Sequence, residues 1–328
     1  MAGPASVPPE TPPPPRDSQP EVPTSGELFA TVSTGIELCY QTYGDPADEP
    51  MLLLMGLASP LIWWDPELCS MLARRGYFVI TLDNRDVGRS GQVPGRVDRR
   101  MLVKAYAGLR VPAPYSLSDM ADDAFALLDH LGIDSAHVVG VSMGGMIAQT
   151  MAIESPDRVR SLTSIMSTTG HRFVGWQHPR LFPMLLRPLK PGREAYAEES
   201  VKVWHLIGSP GFPRTDEETR DVAYRTYDRG INPRGTLRQT IAVLTQPDRT
   251  PRLRNLRVPT LVIHGLADRM VHVSGGRATA AAVPGAELML VDGMGHDLPP
   301  QLFGTFVDAI DRTAKRAEAR GVHRHAAQ

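Results

Sequence analysis

The stretch His137-Val138-Val139-Gly140-Val141-Ser142-Met143-Gly144-Gly145 decides how this 328-residue chain is read. Its first residues continue a short apolar run from Ala136, of the kind found in strands buried on both faces of a parallel sheet. A helical pattern follows, with Met146, Ile147 and Met151 facing one way. Between strand and helix lies Gly140-Val141-Ser142-Met143-Gly144, a serine in a turn so tight that the residues two before and two after must lack bulk. A serine placed there stands above the sheet edge with a helix N-terminus beneath it, where amides and dipole favour developing negative charge. Taken alone, the pentapeptide is equally a glycine-rich turn with an incidental serine. Its flanking strand and helix, and the partners below, separate the two readings.

A serine hydroxyl is a weak nucleophile and needs a base that is held by a third group. Of ten histidines, His296 lies just beyond a predicted strand in Val291-Asp292-Gly293-Met294-Gly295-His296-Asp297. The two glycines permit a loop that carries the imidazole over the sheet edge. His264 falls inside a strand and reads as a core residue, and His137 opens a strand at the end away from the serine. His171, His178 and His205 could at most line a pocket. The orienting carboxylate should follow a strand between serine and histidine, and Leu261-Val262-Ile263-His264-Gly265-Leu266-Ala267-Asp268 supplies Asp268. Aspartate is also common in turns, and Asp292 competes for the role. An oxyanion needs two backbone donors. One is the Met143 amide. The other is expected after the run at 51–55, where Gly56 lets the chain turn inward and the Leu57 amide is the chosen donor.

Working outward, strands are expected at 28–33 and 36–43 as a hairpin, then at 51–55, Tyr77–Leu82, Ala136–Val141, 159–166, 259–264 and Glu287–Val291. Helices are expected at 66–75, 116–131, after the serine, and at 301–315. Repeated strand–helix alternation gives an α/β fold with a mostly parallel sheet covered on both faces. The rhythm breaks between residues 168 and 255, where helical segments without strong strands suggest an insertion rather than a loop of that length. The expected division is therefore a core of 26–167 and 256–315, with a helical cap at 168–255. Residues 1–25 hold nine of the thirty prolines and read as a disordered tail. No charged start leads into an apolar stretch there, so a cytoplasmic location is expected. Residues 316–328, with His323 and His325, read as a polar tail.

Composition narrows the partners. Lys+Arg 35 against Asp+Glu 36 leaves a net charge of −1, which argues against a nucleic acid or an anionic membrane as the main partner. Two cysteines, Cys39 and Cys69, support neither a disulfide framework nor a four-thiolate zinc site and read as buried apolar thiols. No apolar run reaches membrane-spanning length. In Asp83-Asn84-Arg85-Asp86-Val87-Gly88-Arg89-Ser90, Arg85 and Asp86 are expected to pair and brace the loop. Nothing in the sequence fixes an oligomeric state.

The assembled motifs give the chain, from about residue 28 to 314, a resemblance to the α/β-hydrolase superfamily. Within it, the chain resembles the aclacinomycin methylesterase-like group and related actinobacterial lipases and esterases. The residues that carry this are Gly44-Asp45-Pro46-Ala47-Asp48, Met55-Gly56, the Asp83–Ser90 loop, Val138-Val139-Gly140-Val141-Ser142-Met143-Gly144 and Gly293-Met294-Gly295-His296-Asp297-Leu298-Pro299. The resemblance implies an eight-stranded sheet, a helical cap, a Ser/His/Asp triad and no cofactor. Members often carry His-Gly where this chain has Met55-Gly56, a departure that leaves a backbone oxyanion hole intact. The expected activity is hydrolysis of a carboxylic ester through an acyl-enzyme. The apolar run Leu181-Phe182-Pro183-Met184-Leu185-Leu186, with Trp63 and Trp64 as pocket walls beside Gly56, favours a small-molecule hydrophobic ester, with a hydrophobic acyl or polycyclic part, over a charged one as substrate. The same residues also suit C–C bond hydrolysis or perhydrolysis. A non-catalytic binding protein on this scaffold usually lacks a member of the triad.

Overall fold

The computed structural model describes residues 21–181 and 191–319. Eight strands form one sheet in the order β1-β2-β4-β3-β5-β6-β7-β8. β1 (Leu28–Thr31) and β2 (Glu37–Tyr43) form the antiparallel hairpin, and β2 is antiparallel to β4. β3 (Glu49–Leu54), β4 (Tyr77–Leu82), β5 (Ala136–Val141), β6 (Val159–Ile165), β7 (Thr260–Gly265) and β8 (Glu287–Val291) are parallel. The mostly parallel α/β-hydrolase sheet expected from the sequence is present.

The central strands are apolar on both faces because both faces are covered. Leu52, Leu54 and Val138 point into one apolar cluster, and Leu53, Val139 and Val141 into the other, as the two-residue period of a strand requires. The first cluster is closed by α3 (Leu117–His130) and α4 (Met143–Glu154). The second is closed by α1 (Pro66–Ala73) and α10 (Phe303–Ala319). The helix starts follow local chemistry. Asp65 caps α1 by accepting from the Glu67 amide, with Pro66 in its first turn. Ser116 and Asp119 form a reciprocal capping box on α3. α2 (Arg99–Tyr106) follows β4 and precedes α3 along the chain, and α9 (Ser274–Ala282) packs on β7.

The strand order places the site. From β3 the chain steps outward to β4, then returns to the other side of β3 with β5 and continues to β8. The carboxyl ends of β3 and β5 therefore meet at the switch point, where open α/β sheets bind ligands. Between β6 and β7 stand α5 (Arg193–Ile207), α6 (Asp216–Arg229), α7 (Pro233–Thr245) and the short α8 (Thr250–Leu253).

These inserted helices are tied to the loop after β4 through buried charge. Arg229 Nη1 donates to Asp83 Oδ2 at 2.5 Å. Arg238 grips Asp86 with two bonds of 2.6 and 2.7 Å, and Tyr115 Oη adds a third at 2.8 Å. Arg85 and Asp86 do not pair with each other, contrary to expectation. Asp86 adopts φ 70° and turns toward α7, while Arg85 reaches back to Asp123 on α3 at 2.6 and 2.7 Å.

Both tail boundaries move. Residues 24 and 25 are tied to β2: Thr24 bridges Tyr43, the Ser25 amide donates to Thr42 O, and Ser25 Oγ accepts from the Thr42 amide. At the other end α10 continues to Ala319, with Ala317 buried, rather than stopping at 315. The proline run at 12–15, Phe182 to Leu186 of the apolar run, and His323 and His325 lie outside the described residues. Both cysteines are buried. Among the described residues no helix is long and apolar enough to cross a membrane.

Candidate active site

Ser142 sits at φ 55°, a left-handed conformation that costs an L-residue about 1–3 kcal/mol and persists only where its surroundings enforce it. The enforcement is visible. A methyl at Gly140 would collide with the Gly144 carbonyl, and one at Gly144 would collide with the Leu54 carbonyl, so α4 presses directly on β3 and β5. The Ser142 amide is held by Ile165 O at 2.9 Å, and its carbonyl accepts from Ser167 Oγ at 2.8 Å.

The structure brings the three side chains singled out from the sequence into one relay. His296 Nε2 lies 3.0 Å from Ser142 Oγ, and His296 Nδ1 lies 2.8 Å from Asp268 Oδ2. An acceptor-only carboxylate at Nδ1 places the ring proton there and leaves Nε2 to accept. Asp268 Oδ1 takes the amides of Met270 and Val271, each at 2.9 Å. Asp292 is not part of the relay. It is exposed and accepts from its neighbour, the Gly293 amide.

His264, read from sequence as a core residue, also touches the acid. Its Nε2 donates to Val271 O at 2.8 Å and stands 3.4 Å from Asp268 Oδ2. The spacing His264–Asp268 on one strand end is the signal that could have shown this. Burial would raise the Asp268 carboxyl, but the charge of His296 and the bonds from His264 and His296 outweigh it and bring the group down to about 2. That value lies below the unfolded one of about 3.9, so the carboxylate stabilises the fold above pH ~4. The contribution is lost as pH falls from there through about 2. Thermal midpoints of the wild type and Asp268→Asn, followed from pH 7 to pH 2, should converge by the equivalent of about 2 kcal/mol. A constant gap would contradict the ionised, paired carboxylate.

The loop that carries His296 is braced by the segment after α5. The His296 amide donates to Ile207 O at 2.7 Å, and the Gly295 amide donates to Ser209 Oγ at 2.8 Å. Ser209 Oγ also donates to Asp297 Oδ1, and burial raises the Asp297 carboxyl. Gly295 lies against the carbonyls of Ile207 and Gly208, where a side chain would not fit. Sequence reasoning missed this brace, because its two halves are nearly ninety residues apart.

On the other side of the hydroxyl is the turn after β3. A methyl on Gly56 would stand 3.3 Å from Ser142 Cβ, so the turn lies against the serine. The amides of Leu57 and Met143 have no hydrogen-bond acceptor among the described residues. Trp64, expected on the pocket wall, is 2% exposed and belongs to the core cluster with Tyr43, Leu53 and Leu68. The short helical turn Leu61–Trp63 swings it inward. Trp63 packs on the inserted helices, 5.3 Å from the Trp204 ring, and donates Nε1 to Thr226 Oγ1 at 3.0 Å.

His205 pairs with Asp216 at the surface, and His171 lies against Phe173. His178 lines an open cavity of about 200 Å³ with Trp176, Leu266, Arg269, His272 and the back of Asp268. Neither Ser142 nor His296 is on its wall. Among the described residues no cluster of three or more His, Cys, Asp or Glu side chains is arranged to hold a metal ion.

The chain is 29% identical over 287 residues to a rhodomycin D methylesterase of a Streptomyces species, covering 80% of this chain and 90% of that protein. It is 26% identical over 278 residues to 3-oxoadipate enol-lactonase 2 of Acinetobacter baylyi, covering 84% and 93%. Among solved structures, the enol-lactonase of Burkholderia xenovorans superposes with a TM-score of 0.68 at 22% identity, over 88% of this chain and all of that one. That likeness concerns the fold. A family model described as alpha/beta hydrolase fold matches residues 49–300, and the chain belongs to that family.

Proposed function

We propose that the protein is a carboxylic ester hydrolase that acts on an ester of an apolar acid through a serine acyl-enzyme. The observation that carries this reading is the relay Ser142–His296–Asp268, at 3.0 and 2.8 Å, on a strained serine at a helix N-terminus. Ser142 Oγ attacks the ester carbonyl carbon while His296 Nε2 takes the hydroxyl proton. Asp268 holds the imidazole in the required tautomer and stabilises the imidazolium. The carbonyl oxygen, now an anion, accepts from the amides of Leu57 and Met143. Collapse breaks the bond to the alcohol, which leaves with the proton from Nε2. Water then repeats the sequence on the acyl-enzyme and releases the acid.

One observation supports an apolar acyl group and another a small leaving alcohol. Leu57, in the turn beside the serine, and Val243 on α7 are partly buried against the apolar cluster that contains Met143 and Met146. The similarity to a rhodomycin D methylesterase supports a methyl ester and so a small leaving alcohol. The helices α5 to α8 then act as a cap over the carboxyl ends of the strands.

A fluorophosphonate probe should label the protein, with the adduct mapped to Ser142 by peptide mass spectrometry. In a series of methyl esters of growing acyl length, kcat/KM should rise about fourfold per buried methylene until the pocket is filled. Labelling elsewhere would defeat the mechanism. A preference for short or charged acyl groups would defeat the substrate class.

A further inference from the structure

We propose that Gln239 is a positioning residue: from α7 it locks the turn Gly56–Ser59 in the conformation that aims the Leu57 amide at the developing oxyanion. The proposal rests on the esterase reading above.

The turn is closed by the Ser59 amide donating to Gly56 O at 3.2 Å, which makes Leu57 and Ala58 its two central residues. Ala58 has φ 58°. A four-residue turn with positive φ at its third position has its central peptide flipped, and normally carries glycine there. An alanine in the left-handed region is disfavoured by about 1–2 kcal/mol. The relaxed alternative rotates the Leu57–Ala58 peptide, changing ψ of Leu57 and φ of Ala58 together. The Leu57 N–H belongs to the preceding peptide, Gly56–Leu57, so the flip alone does not turn it; the donor moves only as the turn that Gln239 pins is displaced.

Gln239 opposes that rotation. Its Oε1 accepts from the Ala58 amide at 2.8 Å, a bond available only in the flipped orientation. Its Nε2 donates to Arg85 O at 2.9 Å, so both ends of the carboxamide are fixed. The side chain is fully buried, where water cannot replace either partner. The anchors on each side are themselves held. Arg238, its neighbour on α7, is clamped to Asp86 at 2.6 and 2.7 Å, and Arg85 is clamped to Asp123. At the start of the turn, Asn84 Nδ2 donates to Met55 O at 3.1 Å. The inserted helices thus reach the oxyanion turn through one side chain, in addition to bracing the His296 loop.

A purely structural role and a positioning role part company in the kinetics. Gln239→Leu should lower kcat for p-nitrophenyl butyrate by about 10–100-fold, with KM changed less than about threefold, because a donor slightly out of place costs the transition state and not the ground state. Binding of a trifluoromethyl ketone, whose adduct carries the oxyanion, should weaken by the same factor as kcat. Gln239→Glu keeps an acceptor for Ala58 and should lose less. Adding Ala58→Gly to Gln239→Leu should recover most of the loss, since glycine adopts positive φ without the tether. If Gln239→Leu does not fold, Gln239→Met fills the space with an unbranched chain and carries the same comparison. Wild-type kcat in the folded variant, equal weakening of KM and ketone binding, or no recovery from Ala58→Gly would each overturn the proposal. Ester turnover that Ser142→Ala leaves unchanged would overturn the esterase reading and this proposal together. Loss at Ser142 with wild-type kcat at Gln239→Leu overturns the proposal alone.

Discussion

Ser142→Ala is expected to lower kcat for an activated ester by about 10⁴–10⁶-fold while leaving KM and the thermal midpoint close to those of the wild type. The size follows from what remains. Under the proposed mechanism the variant keeps the amides of Leu57 and Met143, which have no acceptor among the described residues, and so keeps oxyanion stabilisation but has no nucleophile to acylate. His296→Ala should cost nearly as much, and the double variant no more than either. Hydroxyl and imidazole 3.0 Å apart act as one unit, and losing either half removes the whole step. Asp268→Asn should cost about 10⁴-fold, since an amide in place of the carboxylate permits the wrong tautomer. Steady-state kinetics on the three single variants and the Ser142/His296 double variant check the set. Additive losses, or a Ser142→Ala enzyme within tenfold of wild type, would place the chemistry elsewhere.

Much of this site was legible because each part follows a strand. Ser142, Asp268 and the turn at Gly56 come directly after β5, β7 and β3, and His296 lies in the loop after β8. Strands buried on both faces announce themselves as short apolar runs, so locating them locates the loops at their carboxyl ends. Glycines reported the backbone: Gly140 and Gly144 are where a side chain would strike a neighbouring carbonyl. What was not legible involves partners far apart in sequence. Trp64 reads like any aromatic near a site, and only the direction of the turn at Leu61–Trp63 buries it. Arg85 and Asp86 are adjacent and opposite in charge, which suggests pairing. Each instead finds a partner 38 or 152 residues away, because successive side chains in that loop diverge. His264 reads like a core histidine and is fully buried, yet only its Nε2 is hydrogen-bonded, to Val271 O, and that nitrogen also approaches the acid four residues on. Helical periodicity predicted that residues 168–255 would be helical. It carried no information on which helix would send Gln239 to Ala58.

The same buried polar links that escaped sequence reasoning should dominate the stability of the inserted helices. Asp86→Ala is expected to cost about 3–5 kcal/mol in urea unfolding, because it strands the Arg238 guanidinium among buried groups with only neutral partners such as Gly95 O and no opposite charge from Asp86. The Arg238 side chain is 6% exposed and that of Asp86 0%, so water screens neither charge. Removing both charges together should cost far less than removing one. In Asp86→Leu combined with Arg238→Met, apolar groups of similar volume replace the pair, and nothing charged is left unpaired. Glu67→Ala sets the scale for an ordinary ion pair. Its partner Arg74 lies 3.1 Å away at the surface, with both side chains substantially solvated, and the loss should stay within about 1 kcal/mol. The contrast between Asp86→Ala and the double variant isolates the stranded charge from the lost contact. If Asp86→Ala costs no more than Glu67→Ala, the helices between β6 and β7 are held to the sheet by apolar packing. The clamp at Asp86 then contributes orientation without anchoring them.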